Sequence, residues 1–181
     1  MPRKAAQPRS SARLPSLAIT RVTLIDATGA SPKPDMTIVI SGNRIIALGP
    51  TKDVRTPKGA RVVDGAGKFL IPGMWDMHWH SLSEEDTREV FFPLAVANGV
   101  TGVRDMFGDC LKGCEGLVGI QVVNQWRKEM AAGRLLAPRI VAASQIVDGA
   151  KPVFPQFLPV GDAAEARQTV RTFKLGHSRH D

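Results

Sequence analysis

No apolar run in these 181 residues approaches the roughly 18 needed to cross a bilayer, so a membrane-spanning helix is excluded. The start of the chain also lacks the apolar core of a secretory signal. The expectation is a cytoplasmic protein without a membrane partner, although a misplaced start codon would hide a signal. Acidic residues are missing before Asp26, whereas Arg3, Lys4, Arg9, Arg13 and Arg21 precede it. From Asp26 onward there are 19 of the 24 basic residues against all 17 acidic ones, so most of the net charge of +7 sits on an arm. Residues 1–16, with Pro, Ser and Ala between the charges, read as a disordered basic arm; a transit peptide and a loose polyanion contact are the alternatives. The rest shows no phosphate-binding stripe and no nucleic-acid motif, so no nucleic-acid partner is expected. Cysteine is scarce as well. Cys110 and Cys114 form CLKGC, a spacing that fits neither a C-x-x-C redox pair nor a zinc-ribbon knuckle, and they read as free thiols in a loop that pair only under oxidising conditions.

What is present is an ordinary globular composition, 43% hydrophobic, in a chain long enough for one sizeable core. Residues 17–25 (LAITRVTLI), 36–40 (MTIVI), 44–48 (RIIAL) and 61–64 (RVVD) are β-branched runs separated by Gly, Pro and Asn turns. The pair around Ser41-Gly42-Asn43 reads as a hairpin. Residues 17–68 are therefore expected to form a small β subdomain of the sandwich type. After residue 80 the pattern changes. Ser83 followed by Glu84, Glu85 and Asp86 is a helix start, Pro93 predicts a kink, and Asn98-Gly99 ends the helix. A strand at 100–106, a helix at 117–132, a strand at 139–143, a Pro-rich loop at 149–161 and a helix opened by Asp162 follow. Such alternation implies a parallel sheet with right-handed crossovers, part of a (β/α) barrel or a small open α/β sheet.

Between these halves lies Phe69 to His80, FLIPGMWDMHWH. Read as a strand, its period of two places Asp76, His78 and His80 on one face and Trp75, Met77 and Trp79 on the other. Neutral imidazoles are good zinc ligands, and two side by side could grip one divalent ion, with Asp76 orienting a ligand ring. Weaker candidates are Arg104 and Asp105 at the end of the next strand, equally readable as an internal ion pair, and Ser144 and Gln145 after the third. His177, His180 and Asp181 read as a polar tail.

IPGMWDMHWH, together with NGVTGVRDM, PRIVAASQIVDGAKP and the capped helix at Asp162, resembles the amidohydrolase superfamily, in its imidazolonepropionase-like and prolidase-like branch, over residues 17–174. The resemblance implies the N-terminal part of a (β/α)8 TIM-like barrel, about three βα units over residues 69–181. It implies that His78 and His80 ligate one or two divalent ions, usually zinc, and that the complete form hydrolyses an amide or cyclic amide carbon-nitrogen bond with metal-activated water. The superfamily also has a composite β domain built from both chain ends.

The departures concern function directly. The superfamily's bridging carboxylated lysine on strand four, histidines on strands five and six, and general-base aspartate on strand eight have no matching positions. Lys174 falls in a helix and is no substitute for that lysine. HSRHD at the end offers no apolar strand, as a frameshift or premature stop would produce. The expectation is a hydrolase by resemblance whose 181 residues hold no catalytic residue and are inactive alone. The alternatives are an inactive remnant or interaction module, and a half-enzyme completed by an oligomer or second chain.

Overall fold

The computed structural model describes residues 16–107 and 118–177, with side chains to 174. The basic arm before Ser16, both cysteines, His180 and Asp181 lie outside the described residues, as does the side chain of His177. The chain divides into two compact units at Pro72 and Gly73.

The first unit is one mixed sheet. Strands β1 (Ser16–Leu24), β2 (Lys33–Ser41), β3 (Arg44–Pro50), β4 (Arg61–Asp64) and the two-residue β5 (Phe69–Leu70) arrange as β3-β2-β1-β4, with β5 also paired to β1. β2 and β3 form the expected hairpin, and β4 and β5 run parallel to β1. The pairing of β1 with β2 slips between Ile19 and Val22, where Arg21 has a positive φ of 58°. The Arg21 guanidinium pairs with Asp64 on β4, which ties down that bulge. Val22, Leu24, Met36 and Ile38 form the core, supported by Ile19, Ile40 and Leu70. Where a sandwich-type subdomain was expected, these residues form a single sheet, and Ile45, Ile46, Leu48, Val62 and Val63 remain exposed. The run Phe69 to His80 is also divided: Phe69 and Leu70 belong to this sheet, Ile71 and Pro72 end the first unit, and Gly73 to His80 begin the second.

The second unit holds β6 (Met74–Trp79), β7 (Val100–Asp105) and β8 (Arg139–Ala142), in that order and all parallel, as the alternation of strands and helices requires. After β6 comes α1 (Glu84–Asp86), whose first turn is capped by the Ser83 hydroxyl accepting from the Asp86 N–H at 3.2 Å. A π-helical turn (Thr87–Phe91) leads into α2 (Phe92–Ala97), with Pro93 in the first turn. The sequence predicts a kink at Pro93, and the turn immediately before it is widened. Proline has no N–H to give the Glu89 carbonyl, and the wider turn re-pairs the preceding backbone. Helix α3 (Ile120–Ala131) begins three residues later than expected and stops at Gly133, whose φ is 68°.

The core of this unit is Phe92, Val103, Val118, Val123, Trp126 and Ile140, with Trp79 packed against it. Phe92 meets Trp126 edge to face at a centroid separation of 4.9 Å, a favoured aromatic geometry. Beyond β8, the Pro-rich segment carries more order than its composition predicts. β9 (Val147–Asp148) and β10 (Leu158–Pro159) pair in parallel, and Asp148 accepts from the Gly149 and Val153 N–H groups. Helix α4 (Ala163–His177) starts as expected, with Asp162 accepting from the N–H groups of Ala164 and Glu165 while Glu165 accepts from that of Gly161. Lys174 lies in this helix. Among the described residues, no helix is long and apolar enough to cross a membrane.

Candidate metal-binding strand

His78 and His80 come together at the C-terminal end of β6. Their Nε2 atoms are 3.2 Å apart, their ring centroids 5.1 Å apart, and both rings are exposed. As they stand, one imidazole can donate to the other. The same spacing suits a shared ion: nitrogens held at about 2.05 Å from tetrahedral zinc lie ~3.3 Å from each other. The two rings therefore fit two positions of a zinc site. Among the described residues, no group of three or more His, Cys, Asp or Glu side chains could hold a metal ion. A catalytic zinc ordinarily has three protein ligands.

The route by which the rings meet differs from simple alternation. Trp75 stands opposite Gly102 and Asp76 opposite Val103, but the next matched pair is Trp79 with Asp105. One residue too many lies on β6, so Met77 and His78 together face Arg104, a β-bulge. Period two is broken there. Trp79 packs on the buried core, stacked with Phe92, whereas Trp75 and Met77 stay 44% and 53% exposed. The three apolar residues expected on one face are thus split. The indole of Trp75 covers Gly102, where an added Cβ would fall 2.3 Å from the ring.

The bulge leaves one peptide unit, Met77 C=O to His78 N–H, to be satisfied by side chains. Asp76 Oδ1 accepts from the His78 N–H at 2.9 Å, and Arg104 Nε donates to the Met77 carbonyl at 3.0 Å. Asp76, expected to orient an imidazole, is recorded here bonding to the main chain. Arg104 and Asp105 do not form the ion pair considered from sequence, because neighbours on a strand point to opposite faces. Asp105 is fully buried: one carboxylate oxygen accepts from the Phe107 N–H at 3.1 Å, and the other has no partner among the described residues. Gln145 is buried and donates to the Gln156 carbonyl at 2.6 Å, a bracing role for the Pro-rich segment; Ser144 is partly exposed.

Beside His80 is a hollow of about 250 Å³ lined by Leu82, Phe107, Ile146, Phe154, Gln156 and Phe157. Sequence reading missed it, because the aromatics come from segments far apart in the chain. Phe154 and Phe157 meet edge to face at 5.2 Å, and Phe107 lies 6.4 Å from Phe157.

No family model matches the chain. An adenine deaminase of Rubrobacter xylanophilus is 31% identical over 87 residues, which are 48% of this chain and 14% of that protein. A protein of Bifidobacterium longum assigned as a prolidase is 25% identical, with a TM-score of 0.63 over 88% of this chain and 38% of the other. Phenylurea hydrolase B is 29% identical, with a TM-score of 0.62 over 91% of this chain and 37% of the other. This chain thus spans a seventh of the adenine deaminase's length and under two fifths of those two solved chains. Sequence and structure agree that the chain carries an amidohydrolase-superfamily fold, and the shares matched fit its N-terminal part.

Proposed function

We propose that this chain supplies the first metal-ligating strand of a divalent-metal hydrolase that cleaves an amide-type carbon-nitrogen bond in a small molecule. The observation that carries this reading is the 3.2 Å approach of His78 Nε2 and His80 Nε2 at the C-terminal end of the first parallel strand. In barrels, ligands gather at that end of the strands. The names of the relatives are consistent with it: adenine deaminase, prolidase and phenylurea hydrolase.

His78 and His80 would hold the ion through neutral imidazole nitrogens. When bound, such an ion polarises the scissile carbonyl and lowers the pKa of its water toward about 7, which supplies the nucleophile. The hollow beside His80 would accept an apolar part of the substrate. Zinc is the proposed metal, with one or two ions in the complete fold; the 3.2 Å spacing is compatible with zinc and with other divalent ions of similar metal–nitrogen distance.

The general base and the remaining ligands are the groups that later strands of a (β/α)8 barrel would bring. Among the described residues β6 and β8 each have one unpaired edge. These edges favour completion by further strands, in a longer protein or a second copy or chain, over the alternative of an inert remnant. The experiment is a cobalt or zinc titration of the 181-residue chain beside His78→Ala and His80→Ala, with a turnover assay on dipeptides and acyl amino acids. Metal binding that depends on both imidazoles, without turnover, is expected. Binding indifferent to both substitutions would remove the basis of the proposal.

A further inference from the structure

The geometry points to Asp76 and Arg104 as a two-sided clamp on the peptide between Met77 and His78, and so as positioning residues for the metal-ligating pair. This inference rests on the metal-site reading above for its purpose, but not for its geometry.

Both polar ends of one peptide unit are held by side chains. The carboxylate of Asp76 takes the N–H at 2.9 Å and the guanidinium of Arg104 takes the C=O at 3.0 Å. The signs match the peptide dipole, with the anion at its positive end and the cation at its negative end, so each bond is charge-assisted. The unit needs such partners because the extra residue on β6 takes it out of the ladder between β6 and β7. Three covalent bonds onward, the plane of this peptide sets the direction of the His78 imidazole. A rotation of the plane would carry Nε2 away from its 3.2 Å approach to His80.

The two arms differ in reach. Asp76 bonds two residues along its own strand, a short local link that asparagine can reproduce through its amide oxygen. Arg104 comes from the neighbouring strand and so couples the bulge to the position of β7. Its flat, fixed donor array suits the task better than the mobile ammonium of lysine.

Two measurements on the whole chain test the clamp. In the metal-free protein, amide hydrogen exchange at His78 is expected to quicken at least tenfold in Asp76→Ala and Arg104→Met, and to stay near the parent rate in Asp76→Asn. Zinc affinity, read by competition with a chromophoric chelator, is expected to fall about 10- to 100-fold in Asp76→Ala and Arg104→Met, the usual range for groups that orient a ligand. It should stay within about threefold in Asp76→Asn, and the visible spectrum of bound cobalt should change with the affinity. An unchanged melting midpoint separates the clamp from general loss of structure, and Arg104→Met serves where Asp76→Ala does not fold. Unaltered exchange at His78 in both Asp76→Ala and Arg104→Met overturns the clamp whether or not metal binds. A parent chain that binds no zinc, yet shows the exchange effect, leaves the clamp standing and refutes the metal-site reading.

Discussion

The indole of Trp75 lies against the bare Cα of Gly102 on the adjacent strand, so close that a Cβ at residue 102 would fall 2.3 Å from Cε2. Glycine is required here by close approach and not by a left-handed backbone. Gly102→Ala is expected to displace the indole and to cost about 1–3 kcal/mol, the range for overpacking. Because Trp75 is 44% exposed, it has somewhere to go. Denaturant unfolding and Trp fluorescence measure both effects, and Trp75→Ala should recover much of the loss. No recovery in the double variant would mean that the strain lies elsewhere.

Trp126 is fully buried, and its indole N–H has no hydrogen-bond partner among the described residues. Trp126→Ala is expected to cost about 3–5 kcal/mol through lost contacts and a cavity. Trp126→Phe keeps an aromatic against Phe92 while removing the orphan donor, and should cost under about 1.5 kcal/mol. Equal losses in the two variants would show that the N–H is in fact satisfied in solution.

Arg88 in the π-helical turn reaches Glu129 on α3 at 2.6 Å, joining the helices of successive strand-helix units. A hydrogen bond from Gln125 and then the one from Arg88 hold the Glu129 carboxyl below the usual glutamate range. Hydrogen bonds from the Val153 and Gly149 amides do the same for Asp148. A depressed folded-state value contributes stability that is present above the unfolded carboxylate value, about 4, and is lost as pH falls through the folded one. The melting midpoint should therefore hold steady down to about pH 5 and drop below pH 4. Glu129→Gln should start lower at neutral pH and fall less steeply with acid. Parallel acid profiles would exclude Glu129 from the effect.

The arrangement of His78 and His80 predicts dependence on both rings at once. Replacing either with alanine should weaken cobalt binding by tenfold or more, and replacing both should do little further, because a single imidazole holds a divalent ion poorly. Visible absorption during cobalt titration measures this. Losses that simply add would indicate two separate weak sites.

Several elements were legible in the sequence because local chemistry alone decides them. Ser83 and Asp162 carry the side chains that cap helices, and both do so. The Ser41-Gly42-Asn43 turn closes its hairpin, and the strand before residue 80 with the alternation after it yields three parallel strands in chain order. His78 and His80, two residues apart on a strand end, were visible as neighbours.

What local pattern could not give was register. The extra residue that puts Met77 and His78 opposite Arg104 depends on how β6 lies on β7, a relation between residues 27 apart. Period-two reasoning therefore grouped Trp75 with Trp79, which the bulge separates. The hollow beside His80 arises in the same non-local way. The sequence by itself determined which side chains could carry metal chemistry and on which strand they stand, because composition and spacing are properties of the chain. Only the tertiary structure decided how His78 is aimed. The peptide that aims it is held by an arginine from another strand, and no local pattern specifies that contact.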